Sequence, residues 1–376
     1  MREVIKRYVE RLMNESTPDA PLWNIEHIRQ GKKPAWNYID GCMMTSLLTL
    51  WRKTGEQRYY DFVENFMDYY VADDGSLLGY SKEDYNLDHI CEGRVLFDVY
   101  KESGKEKYRL AIEKLYEQLK EQPRTADGNF WHKKIYPNQV WLDGLYMAQV
   151  FYTRYETEFN NKKNYDDIIA QFRSVREHMY DEDTRLYRHG YDASRSIFWA
   201  GEDGKSLNCW LRSMGWYLVA LADVYSYLDP AYETGRAFIA SLLREAVDGI
   251  LPYRDAQSGM FMQVVDQGRR DGNYPETSGT SMVAYACIRG AQTGALDESY
   301  LDVGRSIFDS MCSCGVLTER EGKLNLGSIC LVAGLGPENN TRRDGSYEYY
   351  ISEPIVENDA KGVAPFIMCY AANINS

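Results

Sequence analysis

The sequence has 376 residues, of which 44% are hydrophobic and 26% are charged, and its formal net charge is −13. This composition is that of a globular protein, and the acidic balance disfavours nucleic acid and anionic membrane surfaces as partners. Aromatic residues reach 14%, with 31 Tyr and 8 Trp, which is typical of proteins that stack sugar rings, although aromatic side chains also fill cores.

Targeting and metal-binding patterns are missing from the sequence. The N-terminal segment 1–16 alternates charged and apolar residues and has no apolar h-region of a secretory signal. No run approaches the ~18 apolar residues that a membrane-spanning helix needs. The 8 cysteines lie mostly in apolar helical runs, and nothing at metal-ligand spacing accompanies the closest two, Cys312 and Cys314. We therefore expect a reduced, cytoplasmic protein without a metal or cofactor.

Apolar residues recur at helical spacing along the whole chain. This periodicity predicts helices near 2–14, 40–54, 56–72, 87–103, 105–121, 143–158, 163–179, 208–228, 233–250, 279–293, 297–312 and 361–373. Their joints are similar to one another, because Gly55 and Gly104 follow comparable sequences and Gly294 marks a later joint. A glycine at such a joint supplies the left-handed residue that ends a helix.

A short polar turn and a strand-like run follow the second helix of several pairs. These β-hairpin segments are 74–79, 127–132, 183–189, 258–263 and 321–326. Self-similarity at roughly 50 residues marks a repeat architecture. Twelve helices in six pairs predict an all-α, closed (α/α)6 barrel with the hairpins at one rim, forming a single domain over 1–376. An open helical solenoid is the alternative.

In a closed barrel, the helix after each hairpin belongs to the inner ring, and all six inner helices begin at one mouth. Acids, tryptophans, an arginine and a lysine then converge there. The six starts carry Tyr38, Asp88, Asp143, Arg212 with Trp210 and Trp216, Thr277 and Lys361, and the hairpins add His132, Lys133 and His189. Convergent polar groups among aromatic residues indicate a saccharide pocket.

Each of these residues also has a purely structural interpretation. Asp88 and Asp143 could cap their helices, and Arg212 could pair with an acid in the barrel wall. The two tryptophans could belong to the core, and the two histidines could bond to backbone at the rim. Asp98 and Asp223 lie deep in their helices and are interpreted as ordinary polar residues.

Several segments together resemble one family. They are Trp36-Asn37-Tyr38, Asp88, the run 141–148, His189-Gly-Tyr-Asp192, Trp210-x-Arg212-x-x-Gly215-Trp216, Thr277–Thr280 and Lys361–Phe366. In order and over nearly the whole chain they look like the unsaturated rhamnogalacturonyl hydrolases, glycoside hydrolase family 105, and their relatives, the unsaturated glucuronyl hydrolases. Ala364 and Tyr191 depart from the family, where glycine and tryptophan are common.

The resemblance implies a cytoplasmic enzyme of pectin breakdown that acts on an unsaturated galacturonyl residue linked to rhamnose. It implies hydration of the C4=C5 vinyl ether, with Asp143 as acid and then base and Asp88 as its catalytic neighbour. Lys133 and Arg212 would bind the uronate carboxylate. Trp210 and Trp216 would stack the sugar, and Tyr38, His132 and His189 would bond to hydroxyl groups.

Other functions remain open from the sequence. The substrate could instead carry an unsaturated glucuronyl residue. Asp88 and Asp143 could act together as a conventional inverting glycosidase pair, or the barrel could bind a saccharide without turnover. We expect a small oligosaccharide as the partner and a monomer or weak homodimer.

Overall fold

The computed structural model describes residues 2–374, so the first and the last two residues of the predicted 1–376 domain lie outside the described residues. The α-helices of this range are α1 (Arg2–Asn14), α2 (Ile25–Gln30), α3 (Tyr38–Thr54), α4 (Gln57–Tyr70), α5 (Leu87–Glu92), α6 (Arg94–Ser103), α7 (Glu106–Glu121), α8 (Leu142–Gly144), α9 (Val150–Glu158), α10 (Tyr165–Met179), α11 (Leu211–Tyr227), α12 (Glu233–Ile250), α13 (Thr277–Thr293), α14 (Ser299–Ser313), α15 (Tyr347–Ser352) and α16 (Ala360–Ala372). None of these helices is both long and apolar enough to cross a membrane.

The helices form two concentric rings. The inner ring runs through α3, α5–α6, α8–α9, α11, α13 and α16, and each member packs against the next. The ring closes because α16 packs against α3. Helices α4, α7, α10, α12, α14 and α1 pack on the outside of this inner ring. The predicted (α/α)6 barrel is therefore confirmed, and the open solenoid is wrong because the last inner helix meets the first.

The barrel is held together by one continuous apolar core. Buried residues from Ile5 near the beginning to Ala372 near the end belong to the same hydrophobic cluster. The inner helices are buried on almost every face, as helices enclosed by an outer ring must be. All eight cysteines are unpaired, and only Cys314 is exposed.

Two predicted inner helices are not regular, and the first is divided at Gly93. The N–H of Gly93 donates to Ile90 O at 3.0 Å, a tighter turn than an α-helix makes. A Cβ at Gly93 would come within 2.4 Å of Leu115 Cδ1 and 2.9 Å of Phe151 Cε2. A side chain there would have to displace Leu115 of α7 and Phe151 of α9.

The second irregular helix is the predicted 143–158. Between α8 and α9, residues Leu145–Gln149 form a π-helical segment. Such π turns are rare and occur frequently at functional sites. Here the π segment follows Asp143 within two residues, at the mouth of the barrel.

Short strands lie in the segments that connect the helices. They are β1 (Gln139–Trp141), β2 (Tyr180–Asp181), β3 (Leu186–Tyr187), β4 (Gly190–Asp192), β5 (Leu317–Arg320), β6 (Lys323–Leu326), β7 (Ile329–Cys330) and β8 (Ile355–Val356). The hairpins β2–β3 and β5–β6 were predicted. All five predicted turns carry a residue with positive φ, at Gly75, Gly128, Arg185, Gly259 and Gly322, and this residue reverses the chain after each outer helix.

Two strand pairings were not predicted, because their partners are distant in sequence. Strand β7 pairs with β8, and β1 pairs with β4 so that Trp141 lies opposite Gly190. The β1–β4 pairing places the segment before Asp143 against the segment after His189.

Candidate active site

The same backbone hydrogen bond recurs at the start of every inner helix. An N–H at the start donates to a carbonyl of another repeat: Trp36 to Leu78 at 2.8 Å, Leu87 to His132 at 3.1 Å, Leu142 to His189 at 3.0 Å, Leu211 to Gln263 at 3.0 Å, Thr277 to Ser328 at 2.8 Å and Ala360 to Trp23 at 2.9 Å. The residue after the donor therefore occupies an equivalent position in successive repeats. This arrangement pairs Asp88 with His132 and Asp143 with His189.

Asp143 is almost buried at the mouth, and it does not cap its helix. Its side chain makes no capping bond in α8. Its residue exposure is 8%, and Oδ2 has no hydrogen-bond partner within the described residues. Nε2 of His189 lies 3.3 Å from Oδ2, but the two atoms do not form a hydrogen bond. No lysine or arginine is paired with Asp143 within residues 2–374, so it differs from Asp88 in its partners.

His189 is fully buried behind Asp143 and is held by Tyr350 of α15. The Nδ1 of His189 lies 2.6 Å from the Tyr350 hydroxyl. Burial raises the pKa of Tyr350 well above its ordinary value, so this phenol keeps its proton and is able to donate it to Nδ1. In that tautomer Nε2 of His189 carries the ring hydrogen, and it lies 3.3 Å from Oδ2 of Asp143.

Asp88 is in a different electrostatic environment. Its helix is capped by Asn86, whose side chain accepts from the Asp88 N–H at 3.0 Å. Lys133 Nζ lies 2.5 Å from Oδ2, and His132 Nε2 lies 3.5 Å from Oδ1. Burial alone would raise the pKa of Asp88, but the charge of Lys133 and the hydrogen bond that Lys133 donates bring it below its ordinary value. Asp88 is therefore a carboxylate at neutral pH and has no proton to donate.

His132 lies near both Asp88 and Asp143. Its ring stacks on Trp141 with centroids 4.3 Å apart. A methyl group at Gly144 would lie 3.2 Å from its Nδ1, so it also packs against the residue after Asp143. Burial, opposed by the charge of Asp88, lowers the pKa of His132 from 6.5 to about 4. A neutral imidazole at this position is able to bond to a hydroxyl but carries no charge.

We expect His132→Gln to flatten the acid side of the stability profile. His132 takes up its proton near pH 4 when folded and near 6.5 when unfolded, so the unfolded chain binds the extra proton between these values and stability falls as the pH falls. The loss is at most about 3 kcal/mol, since one pKa unit is worth about 1.4 kcal/mol. Urea denaturation from pH 7 to pH 4 measures it.

The control for this experiment is His178→Gln, because His178 lies on the outer helix α10 with a partly exposed side chain. That variant should keep the wild-type dependence of stability on pH. Equal slopes for wild type and His132→Gln would contradict the assignment.

A cavity of about 480 Å³ opens at this mouth. Its lining includes five of the predicted site residues: Tyr38, Asp88, His132, Lys133 and Asp143. Trp36, His89 and Trp141 contribute aromatic surface to the same wall. The volume lies within the range of pockets that enclose small ligands, roughly 300–1,000 Å³.

Four predicted site residues do not line this cavity. His189 lies behind Asp143, and Trp210 packs on His189 with centroids 4.9 Å apart while its indole N–H donates to Gln263 at 3.2 Å. Trp216 is stacked on Tyr146 at 4.3 Å, inside the ring. The structure thus places both tryptophans in buried packing, and their roles in stacking a sugar stay predictions.

Arg212 also lies outside the cavity lining and is 1% exposed. Its Nε donates to Ser278 Oγ at 2.7 Å, and its Nη2 donates to Cys330 O. Nη2 also lies 3.6 Å from Oε1 of the fully buried Glu276. This is the ion pair with a wall acid that the sequence left open, and the predicted contact with a substrate carboxylate stays a prediction.

Sequence reasoning missed several residues of the cavity. Lys32, Lys33 and Arg343 line it, and Tyr350 supports it from behind. They lie in loops or in the short α15, outside the inner-helix starts on which the prediction concentrated. The aromatic cluster Tyr347–Tyr350 was the one available signal. No group of three His, Cys, Asp or Glu within residues 2–374 is placed to hold a metal ion.

A closed barrel of paired helices with carboxyl groups, a cation and aromatic surface at its mouth defines a class, the helical-barrel glycoside hydrolases. Residues 4–375 match the model of the family described as Glycosyl Hydrolase Family 88, and the chain belongs to that family. The protein is therefore a glycoside hydrolase.

Individual relatives refine this placement. A family 105 glycoside hydrolase of C. acetobutylicum ATCC 824 is 36% identical with a TM-score of 0.90, covering 99% of this chain and 98% of that one, so the predicted resemblance to family 105 is confirmed. Protein Atu3128 of Agrobacterium fabrum is 38% identical over 194 residues, 50% of this chain and 82% of its own length. The unsaturated rhamnogalacturonyl hydrolase YesR of Bacillus subtilis is 22% identical over 260 residues, 68% of this chain and 70% of YesR.

Proposed function

We propose that this enzyme releases an unsaturated, 4,5-dehydro galacturonyl residue from rhamnose in fragments of rhamnogalacturonan. The observation that carries the proposal is the unequal pairing of the two acids with basic residues. Asp143 lines the cavity without a lysine or arginine partner among residues 2–374, whereas Asp88 is paired with Lys133. One proton donor suits a reaction in which one carboxyl serves as acid and then as base.

The chemistry follows from the substrate. Asp143 protonates C4 of the C4=C5 vinyl ether, and positive charge develops at C5 and the ring oxygen. Water attacks C5 and gives its proton to the Asp143 carboxylate. The resulting hemiketal opens and releases the saccharide. Asp88 and the Nε2–H of His189 would stabilise the charges that appear during these steps.

A uronyl residue brings a carboxylate, and the cavity offers cations to meet it. Lys32, Lys33 and Arg343 have no ion-pair partner among residues 2–374, and Lys133 is already paired with Asp88. A methyl group at Gly334 would lie 3.1 Å from Arg343 Nη1 and 3.3 Å from the Trp141 ring, so the guanidinium borders the aromatic wall. Arg343 is half-buried and has the planar fork that binds carboxylates with two hydrogen bonds.

We expect Arg343→Gln to raise KM for an unsaturated uronyl disaccharide by about 10- to 100-fold, because a hydrogen bond to a charged group is worth about 1.5–3 kcal/mol. The change in kcat should be smaller, since the carboxylate is bound before and during the reaction. The control is the neighbouring Arg342→Gln, because Arg342 is bound to Glu353 at 2.7 Å and is exposed. An unchanged KM in Arg343→Gln would remove Arg343 from carboxylate recognition.

The function itself is tested by following the ultraviolet absorbance of the conjugated double bond in an unsaturated galacturonyl-rhamnose disaccharide. Loss of absorbance supports the proposal. Loss only with unsaturated glucuronyl substrates would assign the glucuronyl specificity instead. Turnover of saturated substrates would support a conventional inverting glycosidase, and binding without turnover would support a non-catalytic barrel.

The same proposal covers a single domain over 1–376, a role in pectin breakdown and a cytoplasmic location. The shared apolar core from Ile5 to Ala372 supports the single domain, and the unpaired cysteines support a reducing compartment. A monomer or weak homodimer remains the expected state.

A further inference from the structure

A second polar cavity lies towards the opposite end of the barrel. It has a volume of about 170 Å³ and lies among α3, α6, α11, α13 and α16. Arg52 and Lys53 come from the last turn of α3, and Arg289 comes from the last turns of α13. Because the inner helices begin at the catalytic mouth and end here, this cavity is separate from the candidate active site.

The lining is strongly cationic in an acidic protein. Arg52, Lys53, Arg94 and Arg289 line the cavity, and Asp223 is its one carboxylate among the described residues. Both oxygens of Asp223 are already engaged, because Oδ2 accepts from Arg94 Nη2 at 2.7 Å and Oδ1 accepts from the Tyr285 hydroxyl at 3.1 Å. No further carboxylate among the described lining residues therefore balances the positive charge of these side chains.

Several donors at this site have no acceptor. Arg94 is 5% exposed, and its Nη1 has no hydrogen-bond partner within residues 2–374. The Nε of Arg289 is buried and equally unpartnered, and Lys53 has no ion pair in the same range. Arg52 is paired with Asp98 at the edge. Buried donors without acceptors carry an uncompensated desolvation penalty, which a bound acceptor removes.

We propose that this cavity binds a small oxyanion, and that Arg94, Arg289 and Lys53 are its ligands. The volume excludes a disaccharide, since it is well below the roughly 300 Å³ from which pockets for larger ligands begin. It suits a phosphate or sulfate, or the carboxylate of a small acid. Water would satisfy the donors but would leave the charge uncompensated, and guanidinium groups bind oxyanions through two parallel hydrogen bonds.

The second cavity also adjoins the π segment near the catalytic mouth, through Arg94. The Arg94 guanidinium lies 4.6 Å from the centroid of the Tyr146 ring, and Tyr146 belongs to the π segment that follows Asp143. An anion on Arg94 would therefore lie next to the segment that follows the proposed acid. The inference does not depend on the proposed function, because binding is measured without substrate.

The test is calorimetric titration and thermal unfolding with sodium phosphate, sodium sulfate or sodium succinate, against sodium chloride at matched ionic strength. We expect saturable heat and a saturable rise in Tm for the wild type. In Arg289→Gln and in Lys53→Gln the affinity should fall at least about tenfold. Arg244→Gln, which removes an exposed arginine paired with Asp297, should bind like the wild type.

The active-site variant Arg343→Gln separates the two cavities. Retention of the response in that variant supports the second cavity, and its loss there would assign the anion to the catalytic mouth and overturn the proposal. Responses to phosphate and sulfate alone would identify a tetrahedral oxyanion, and a response to succinate would identify a carboxylate. An unsaturable response, or one unchanged in Arg289→Gln, would refute the site.

Discussion

Asp143→Asn is expected to lower kcat on an unsaturated uronyl disaccharide by at least about 100-fold, the usual contribution of a general acid–base group. Asparagine keeps the size of the side chain but has no exchangeable acidic proton. The loss should be accompanied by little change in Tm, because Asp143 makes no hydrogen bond through Oδ2 and does not cap α8. Absorbance kinetics and thermal unfolding together measure both quantities.

The comparison with Asp88→Asn discriminates between the two mechanisms. Asp88 is held as a carboxylate by Lys133 at 2.5 Å, so in the vinyl-ether mechanism it acts through its charge and its loss should cost less than that of Asp143. A conventional inverting pair needs both carboxyl groups, and equal losses would favour that mechanism. Asp297→Asn, on the exposed surface, serves as the control. Near-normal turnover in Asp143→Asn would refute the assignment.

Arg212→Gln is expected to lower the free energy of unfolding by about 3–5 kcal/mol, because removal of one member of a buried ion pair leaves the other charge uncompensated. Glu276 is fully buried and faces Arg212, and it also accepts from Ser278 Oγ at 2.7 Å and Gly279 N at 2.8 Å. These hydrogen bonds leave the substitution nearer the lower end of the range. Urea denaturation at neutral pH measures the loss.

The exposed pair of Arg244 with Asp297 provides the control. Arg244→Gln removes the same kind of side chain and should cost less than about 1 kcal/mol, since exposed ion pairs contribute little. A stable Arg212→Gln with an impaired KM would instead support the direct contact with substrate that the sequence suggested. Loss of stability together with an unchanged KM in the folded fraction would make Arg212 a residue of the wall.

The active-site acids were identifiable from the sequence because of where they stand in the repeat. Asp88 and Asp143 each follow an apolar residue at the start of an inner helix. His132 and His189 each end the β-hairpin segment that follows in the chain after one of these acids. The partnership of each acid with one histidine was not identifiable. It depends on the Leu87-to-His132 and Leu142-to-His189 backbone bonds, which join segments about 45 residues apart.

The charge partners of Asp88 and Arg212 could not be predicted from the sequence either. Lys133 neighbours His132 in the chain, yet its partner is Asp88 of the preceding repeat. Arg212 occupies the same repeat position as the two acids, but its side chain turns to Glu276 and Cys330 O within the wall. Position in the repeat fixes where a Cα lies, whereas the neighbours that the ring supplies decide what the side chain contacts.

Residues close together in the chain are enough to predict the helical periodicity, the polar turns after the outer helices, the number of repeats and the motifs that carry the family resemblance. The division at Gly93, the π segment after Asp143, the additional cavity residues Arg343 and Tyr350, and the second cavity depend on the tertiary structure. They arise from contacts among inner helices, outer helices and loops that are far apart in the chain, and no local sequence pattern records such contacts.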